Sequence, residues 1–157
     1  VNMKKTAKIH LALDTGMRRI GLEADESGAD LAAAIGALPG IEVEGLFTHF
    51  SRADEMEKTS AMTQLGRYLH FTELLKARGI EIPIKHCSNS AGIIDLPQAN
   101  LNCVRAGITM YGMYPSEEVQ GIPVTVTWSG AASSPSNSTF KSSVLGILLP
   151  NTKLPKL

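Results

Sequence analysis

Polar residues collect at four points of this sequence, each directly after a short β-prone run. They are Asp14-Thr15-Gly16-Met17-Arg18-Arg19, Thr48-His49-Phe50, His86-Cys87-Ser88-Asn89-Ser90 and Arg105-Ala106-Gly107. Arginine carries a permanent charge on a planar fork of donors, which suits carboxylate and phosphate groups. Histidine changes charge near neutrality and lies flat against a ring. Serine hydroxyls, an asparagine amide and free backbone N–H groups at a helix start are suited to an anion. Arginines, histidines and an Asn-Ser pair gathered on one rim would serve an anionic, ring-bearing ligand. Taken singly, each feature also has a plainer meaning: a histidine satisfied inside the structure, or an arginine that is a solvated surface charge.

A rim of this kind needs elements that bring the four points together. Lys8 to Leu13 is a β-prone run ending at Asp14-Thr15-Gly16. Ser27, with Asp30 three residues on, predicts a helix start, and Pro39-Gly40 predicts its stop after Leu38. Glu42 to Phe50 predicts a strand. Glu57 to Arg78 predicts a long amphipathic helix with Met62, Leu65, Leu69, Leu74 and Leu75 inward, ended by Gly79. Ile82 to Cys87 predicts a strand, Ser90 to Leu96 a short helix closed by Pro97, and Asn102–Arg105 and Ile108–Tyr111 short strands broken by Gly107. Strands alternating with helices imply a parallel sheet, either doubly wound or closed as a (β/α)₈ barrel. No GxGxxG follows a strand, which disfavours the dinucleotide-binding form. A whole barrel takes ~250 residues, so 157 residues supply part of one.

Composition narrows the partners. Hydrophobic residues make up 43% and charged residues 19%, and Lys+Arg 15 against Asp+Glu 15 gives no net charge. Nucleic-acid and anionic-membrane binders need a basic excess. No apolar run reaches the ~20 residues of a bilayer span, and the first residues lack the apolar stretch of a signal peptide. Cys87 and Cys103 show no zinc-binding spacing, and two such cysteines fit a reducing cytoplasm. The composition changes after Glu118: Val119 to Leu157 contains no acidic residue and is rich in serine and proline. Residues 1–118 therefore read as the α/β portion and 119–157 as a tail of loop or disordered character, with Val124–Trp128 and Val144–Leu149 as the two runs able to form strands.

The runs Leu13-Asp14-Thr15-Gly16-Met17-Arg18-Arg19-Ile20-Gly21, Glu44-Gly45-Leu46-Phe47-Thr48-His49-Phe50, His86-Cys87-Ser88-Asn89-Ser90-Ala91 and Val104-Arg105-Ala106-Gly107-Ile108-Thr109-Met110-Tyr111-Gly112 resemble successive motifs of bacterial alanine racemases, in order and spacing. The resemblance covers Ile9 to about Ser116. It implies the pyridoxal-phosphate-binding barrel of a homodimeric enzyme that interconverts L- and D-alanine for peptidoglycan. It also implies roles. Arg19 would bond the cofactor's phenolic oxygen and lie close to the substrate carboxylate, whereas Arg18 stands where the family pattern has a small residue. Ser88, Asn89 and Ser90 would bind the cofactor phosphate, completed by the backbone at Gly107 and Ile108. His49 would lie beside the pyridine ring. Arg105 would face the pyridine nitrogen, and His86, behind it, would link it to a catalytic tyrosine. Arginine has no acceptor, so the ring nitrogen would have to accept and stay unprotonated, which weakens the cofactor as an electron sink.

The resemblance also implies what is not here. The family's cofactor-holding lysine belongs to an earlier strand and its opposing tyrosine to a later β-domain, and no stretch of this chain is similar to either, so catalytic residues are expected elsewhere. Lys8 and Lys85 lack the context of that lysine. Many members carry a modified lysine near the Arg19 equivalent, where this chain has Ala12. The expected function is that of an alanine racemase fragment, inactive alone. Alternatives are a related pyridoxal-phosphate barrel (a serine racemase or an amino-acid decarboxylase), a non-catalytic cofactor-binding fragment, or a fragment with no function.

Overall fold

The computed structural model describes residues 5–119. The candidate strands Val124–Trp128 and Val144–Leu149 lie outside that range. Four strands and three helices follow in order: β1 Ala7–Asp14, β2 Leu22–Glu23, α1 Glu26–Gly36, β3 Ile41–Phe47, α2 Thr59–Ala77, β4 Ile84–His86 and α3 Ser90–Asp95. The strands form one parallel sheet in the order β2-β1-β3-β4. Parallel neighbours place every strand's C-terminal end at the same edge, which is how Asp14, Thr48 and Cys87 come to share a rim.

The core is one cluster. Leu11, Leu13 and Leu46 of the sheet meet Ala29 and Ala32 of α1 and Ala61, Leu65, Tyr68, Phe71 and Leu75 of α2. The inward stripe of α2 is not the one the aliphatic residues suggest. Met62 is 41% and Leu69 43% exposed, while Tyr68 and Phe71 are fully buried. Two aromatic rings bury more apolar surface than the Met and Leu they displace, and the Tyr68 hydroxyl donates to the Leu46 carbonyl at 2.7 Å, so its polar end is satisfied.

Other departures have local causes. Helix α1 is capped by Asp25, whose carboxylate accepts from Gly28 N, not by Ser27; the Ser27 hydroxyl donates to Asp25, and Asp30 pairs with Arg78. Strand β4 is shorter than expected because Pro83 has no N–H to give a ladder. Asn102–Arg105 forms no strand, making a single rung from Arg105 N to Ser88 O. Ile108–Tyr111 is a 3₁₀ turn. The packed body reaches Val119, which is fully buried in the core one residue beyond Glu118.

Between β1 and β3 the register slips by one residue: Ile9 faces Val43, but His10 faces Gly45, leaving Glu44 as a bulge. The slip has a visible reason. A Cβ on residue 45 would lie 2.5 Å from the His10 ring, so only glycine lets that ring lie across β3.

Candidate functional site

The rim encloses an open cleft of about 460 Å³. His49 and Ser51 from the β3 loop, Asn89 and Ser90 at the start of α3, and Arg105, Gly107 and Ile108 from the last segment line it, with Met17 reaching in from the β1 loop. A second, smaller pocket of about 40 Å³ holds Arg19 with Ala12, Asp14, Ile20 and Phe47, and shares Met17 and His49 with the cleft. His49 therefore stands between the two arginines. Its pKa is lowered, first by burial and then by the charges of Arg105 and Arg19, so the imidazole is neutral at neutral pH while two guanidinium groups flank it.

Loop geometry sets these side chains. The Asp14 carboxylate accepts from Gly16 N at 2.8 Å and Arg18 N at 3.0 Å, folding the β1 loop back on itself. Burial raises the Asp14 pKa, but backbone donors from Arg18, Gly16, Met17 and Arg19 outweigh it and the net shift is downward. Arg18 has φ 55°, in the left-handed region, which gives a physical meaning to the small residue expected there. Gln64 of α2 ties this loop to the next one. Its amide nitrogen donates to Thr15 Oγ1 at 3.0 Å and His49 O at 3.1 Å, and its oxygen accepts from Ser51 N at 2.9 Å and Ser51 Oγ at 3.0 Å. Thr15 and Thr48 hydroxyls meet at 2.7 Å beneath.

Arg105 is anchored on its Nη side. Nη1 donates to His86 Nδ1 at 2.8 Å and His86 O at 3.0 Å, and Nη2 to Thr48 O at 2.7 Å and Cys87 O at 3.4 Å. Its guanidinium also lies 5.3 Å from the centre of the Phe47 ring. His86 sits below it, outside the cleft lining, with its pKa pushed down to about 4 by burial, then by the charge of Arg105 and by His10. The other ring nitrogen of His86 lies 2.8 Å from His10 Nδ1. Both nitrogens of His86 are thus engaged within the chain, one by Arg105 and the other by His10.

The serine-asparagine run divides its work. Ser88 is fully buried, outside the cleft lining, and its hydroxyl has no partner. It does not meet the cleft as a phosphate ligand would. Asn89 caps α3, its oxygen accepting from Gly92 N at 3.0 Å. Ser90 Oγ accepts from Gly107 N at 2.9 Å, Thr109 Oγ1 at 3.1 Å and Thr109 N at 3.4 Å. With its lone pairs engaged, the Ser90 hydroxyl retains its own hydrogen as a donor.

The sequence model of one family, described as alanine racemase, N-terminal domain, matches residues 1–115. The chain belongs to this family. It is 51% identical over 120 residues to an alanine racemase of Clostridium perfringens, covering 76% of this chain and 31% of that protein. It is 49% identical over 115 residues to one of Methanococcus maripaludis, covering 73% and 31%. Among solved structures, the alanine racemase of Clostridium difficile 630 in complex with cycloserine superposes with a TM-score of 0.73 at 42% identity, over 75% of this chain and 32% of that one. The enzyme of Bacillus anthracis with bound L-Ala-P superposes at 0.72 and 32% identity, over 77% and 32%. The chain spans about a third of the length of these alanine racemases, and its four parallel strands are an arc of a (β/α)₈ barrel. Among the described residues, no helix is long and apolar enough to cross a membrane.

For an alanine racemase domain, the cleft therefore unites His49, Asn89, Ser90, Arg105, Gly107 and Ile108, with Arg19 one pocket away and Ser88 and His86 underneath. Gln64 and His10 escaped the reading of the sequence, and Thr15 and Thr48 stood in its rim clusters without a role. Gln64 was hidden because a polar residue inside a helical pattern looks solvent-facing, yet it is 3% exposed.

Proposed function

We propose that this chain is the cofactor-cradling part of an alanine racemase, with the cleft as the pyridoxal 5′-phosphate site. The observation that carries the reading is the pairing of Arg19 and Arg105 around an imidazole whose pKa both of them lower. Uncompensated positive charge of this kind is relieved by an anionic ligand. The donors present fit such a group: the Ser90 hydroxyl hydrogen, the Asn89 amide nitrogen and the backbone of Ile108 for a phosphate, with Gly107 N holding the Ser90 oxygen in place, and His49 and Arg105 for a ring. When bound, pyridoxal phosphate supplies an electron sink for an amino acid's α-carbon. The contribution of this chain is to hold it. Arg105, a donor without an acceptor, would keep a ring nitrogen unprotonated, and Arg19 would stand near a substrate carboxylate.

In this reading residues 1–118, with Val119 packed against them, are barrel, and the rest of 119–157 is a tail. The whole protein is a homodimeric, cytoplasmic enzyme that interconverts L- and D-alanine for peptidoglycan, and the bases of that reaction come from outside this chain. The test is equilibrium dialysis of the 157-residue chain with pyridoxal phosphate, alongside proton NMR of His49. Saturable binding is expected, competed by inorganic phosphate and accompanied by a rise in the His49 pKa as the anion offsets the two arginines. Arg105→Ala should weaken binding by roughly 10- to 100-fold, the loss of a hydrogen bond to a charged group of about 1.5–3 kcal/mol. The chain alone should form no D-alanine above the rate of free cofactor. No saturable binding, or a His49 pKa that ignores the ligand, would remove the cleft from consideration.

A further inference from the structure

Arg105 does not end its interactions at His86. His86 Nε2 lies 2.8 Å from His10 Nδ1, and His10 Nε2 lies 3.6 Å from Glu44 Oε2. Glu44 in turn holds Lys8, whose ammonium is 2.6 Å from Glu44 Oε1 and 3.5 Å from Glu42. These residues form a line through the sheet from the cleft towards the opposite end of the strands. They come from β1, β3, β4 and the segment after α3, so no single element could assemble it.

The direction of the line is fixed by chemistry at both ends. A guanidinium only donates, so His86 Nδ1 must accept. His86 then carries its hydrogen on Nε2 and gives it to His10 Nδ1. His10 therefore carries its hydrogen on Nε2, on the side of Glu44, whose ionised carboxylate only accepts. Arg105 and Glu44 thus demand the same tautomer of both rings. The fold makes room for this arrangement: the bulge at Glu44 and the bare Cα of Gly45 are what allow the His10 ring to lie between β1 and β4. Protonating either ring would set two N–H groups face to face.

We propose that His10 and Glu44 are positioning residues for Arg105, acting through His86, with Lys8 holding Glu44 in place. The line keeps His86 an acceptor and so keeps the guanidinium turned to one fixed orientation beside the cleft. The inference deepens the cofactor reading, since it rests on Arg105 lining that site. Its test does not need the cofactor: long-range nitrogen–proton NMR of the full 157-residue chain at neutral pH identifies the tautomer of each histidine. Both His10 and His86 should be Nε2–H. His10→Leu removes the acceptor for His86 and should raise the exchange rate of the Arg105 guanidinium protons at least about tenfold. In His10→Gln the amide oxygen can accept from His86 and the amide nitrogen can face Glu44, so slow exchange should return. Glu44→Ala, at the partly exposed end, should move the His10 resonances and speed Arg105 exchange without touching the core. A His10 found as Nδ1–H in the unaltered chain would overturn the proposal outright. So would unchanged Arg105 exchange in Glu44→Ala. Because the tautomers are read without ligand, the relay stands or falls on them whether or not pyridoxal phosphate binds, and dialysis of the same samples judges the site separately.

Discussion

Replacing Gln64 with methionine isolates what a buried amide does for the rim. Methionine has nearly the same length and volume, so the substitution removes hydrogen bonds while leaving little cavity. Four bonds disappear, and they are not equal. Thr15 is 1% exposed, and the Gln64 amide bonds it and the partly buried His49 carbonyl. Each of those bonds contributes about 1–1.5 kcal/mol net, the His49 carbonyl carrying the larger cost because it is left unpartnered. Thr15 keeps Thr48 at 2.7 Å, which softens its loss. The two other bonds are donated by Ser51, a residue on the surface where water takes over, and are worth about 0.5 kcal/mol each. The sum is about 3 kcal/mol, a large part of a domain's usual 5–15 kcal/mol, roughly. In urea, with a slope of about 1–3 kcal/mol per molar, the midpoint should fall by about 1–3 M. Gln64→Glu should be at least as harmful, since a carboxylate would face the His49 carbonyl with no hydrogen to give. A midpoint that moves by less than about 0.3 M in Gln64→Met, with the slope unchanged, would refute the idea that Gln64 ties the two loops together.

Three further outcomes are expected. Arg18→Gly should stabilise the chain by about 0.5–1 kcal/mol, because relief of the left-handed backbone exceeds the added entropy of glycine in the unfolded state; a lower melting temperature would contradict it. His86 has a folded pKa of about 4 against an ordinary 6.5. The unfolded chain then takes up the proton first, so stability is full above the ordinary value and falls as pH drops towards the folded one, by up to about 1.4 kcal/mol per pH unit from this group. His49, also lowered, adds to the slope, and His86→Asn should remove only its own share in urea titrations at several pH values. Gly45→Ala would drive a Cβ into the His10 ring and should cost about 1–3 kcal/mol by overpacking, read as a lowered urea midpoint.

The order of elements and the parallel class were legible because Leu11, Leu13 and Leu46 sit in short apolar runs separated by helical ones, and Pro39 and Gly79 punctuate them. The stripe of α2 was misread because Tyr68, Phe71 and Ala61 carry the burial while Leu69 and Met62 do not. Amphipathic counting weighs a leucine above an alanine, although Ala61 is fully buried. At the site, Arg105 and His49 could be picked out because they follow strand ends. Ser88 could not be told from Ser90, since which of two serines points outward depends on where α3 begins. His10 was invisible for a different reason: its partners are Glu44 and His86, on two other strands, and nothing in the local sequence announces that three strands will meet there.

The bulge at Glu44 also gives β3 two phases of alternation. Before it, the half-buried positions are Ile41 and Val43; after it, the buried aliphatic position is Leu46. Odd positions do the packing in the first half of the strand and even positions in the second. A chain lacking one residue here would keep nearly the same composition yet turn either Val43 or Leu46 to the wrong side of the sheet. The broken rhythm of Glu42-Val43-Glu44-Gly45-Leu46-Phe47 is therefore a frame mark: it fixes, to the residue, where the front half of the strand stops counting and the rim begins.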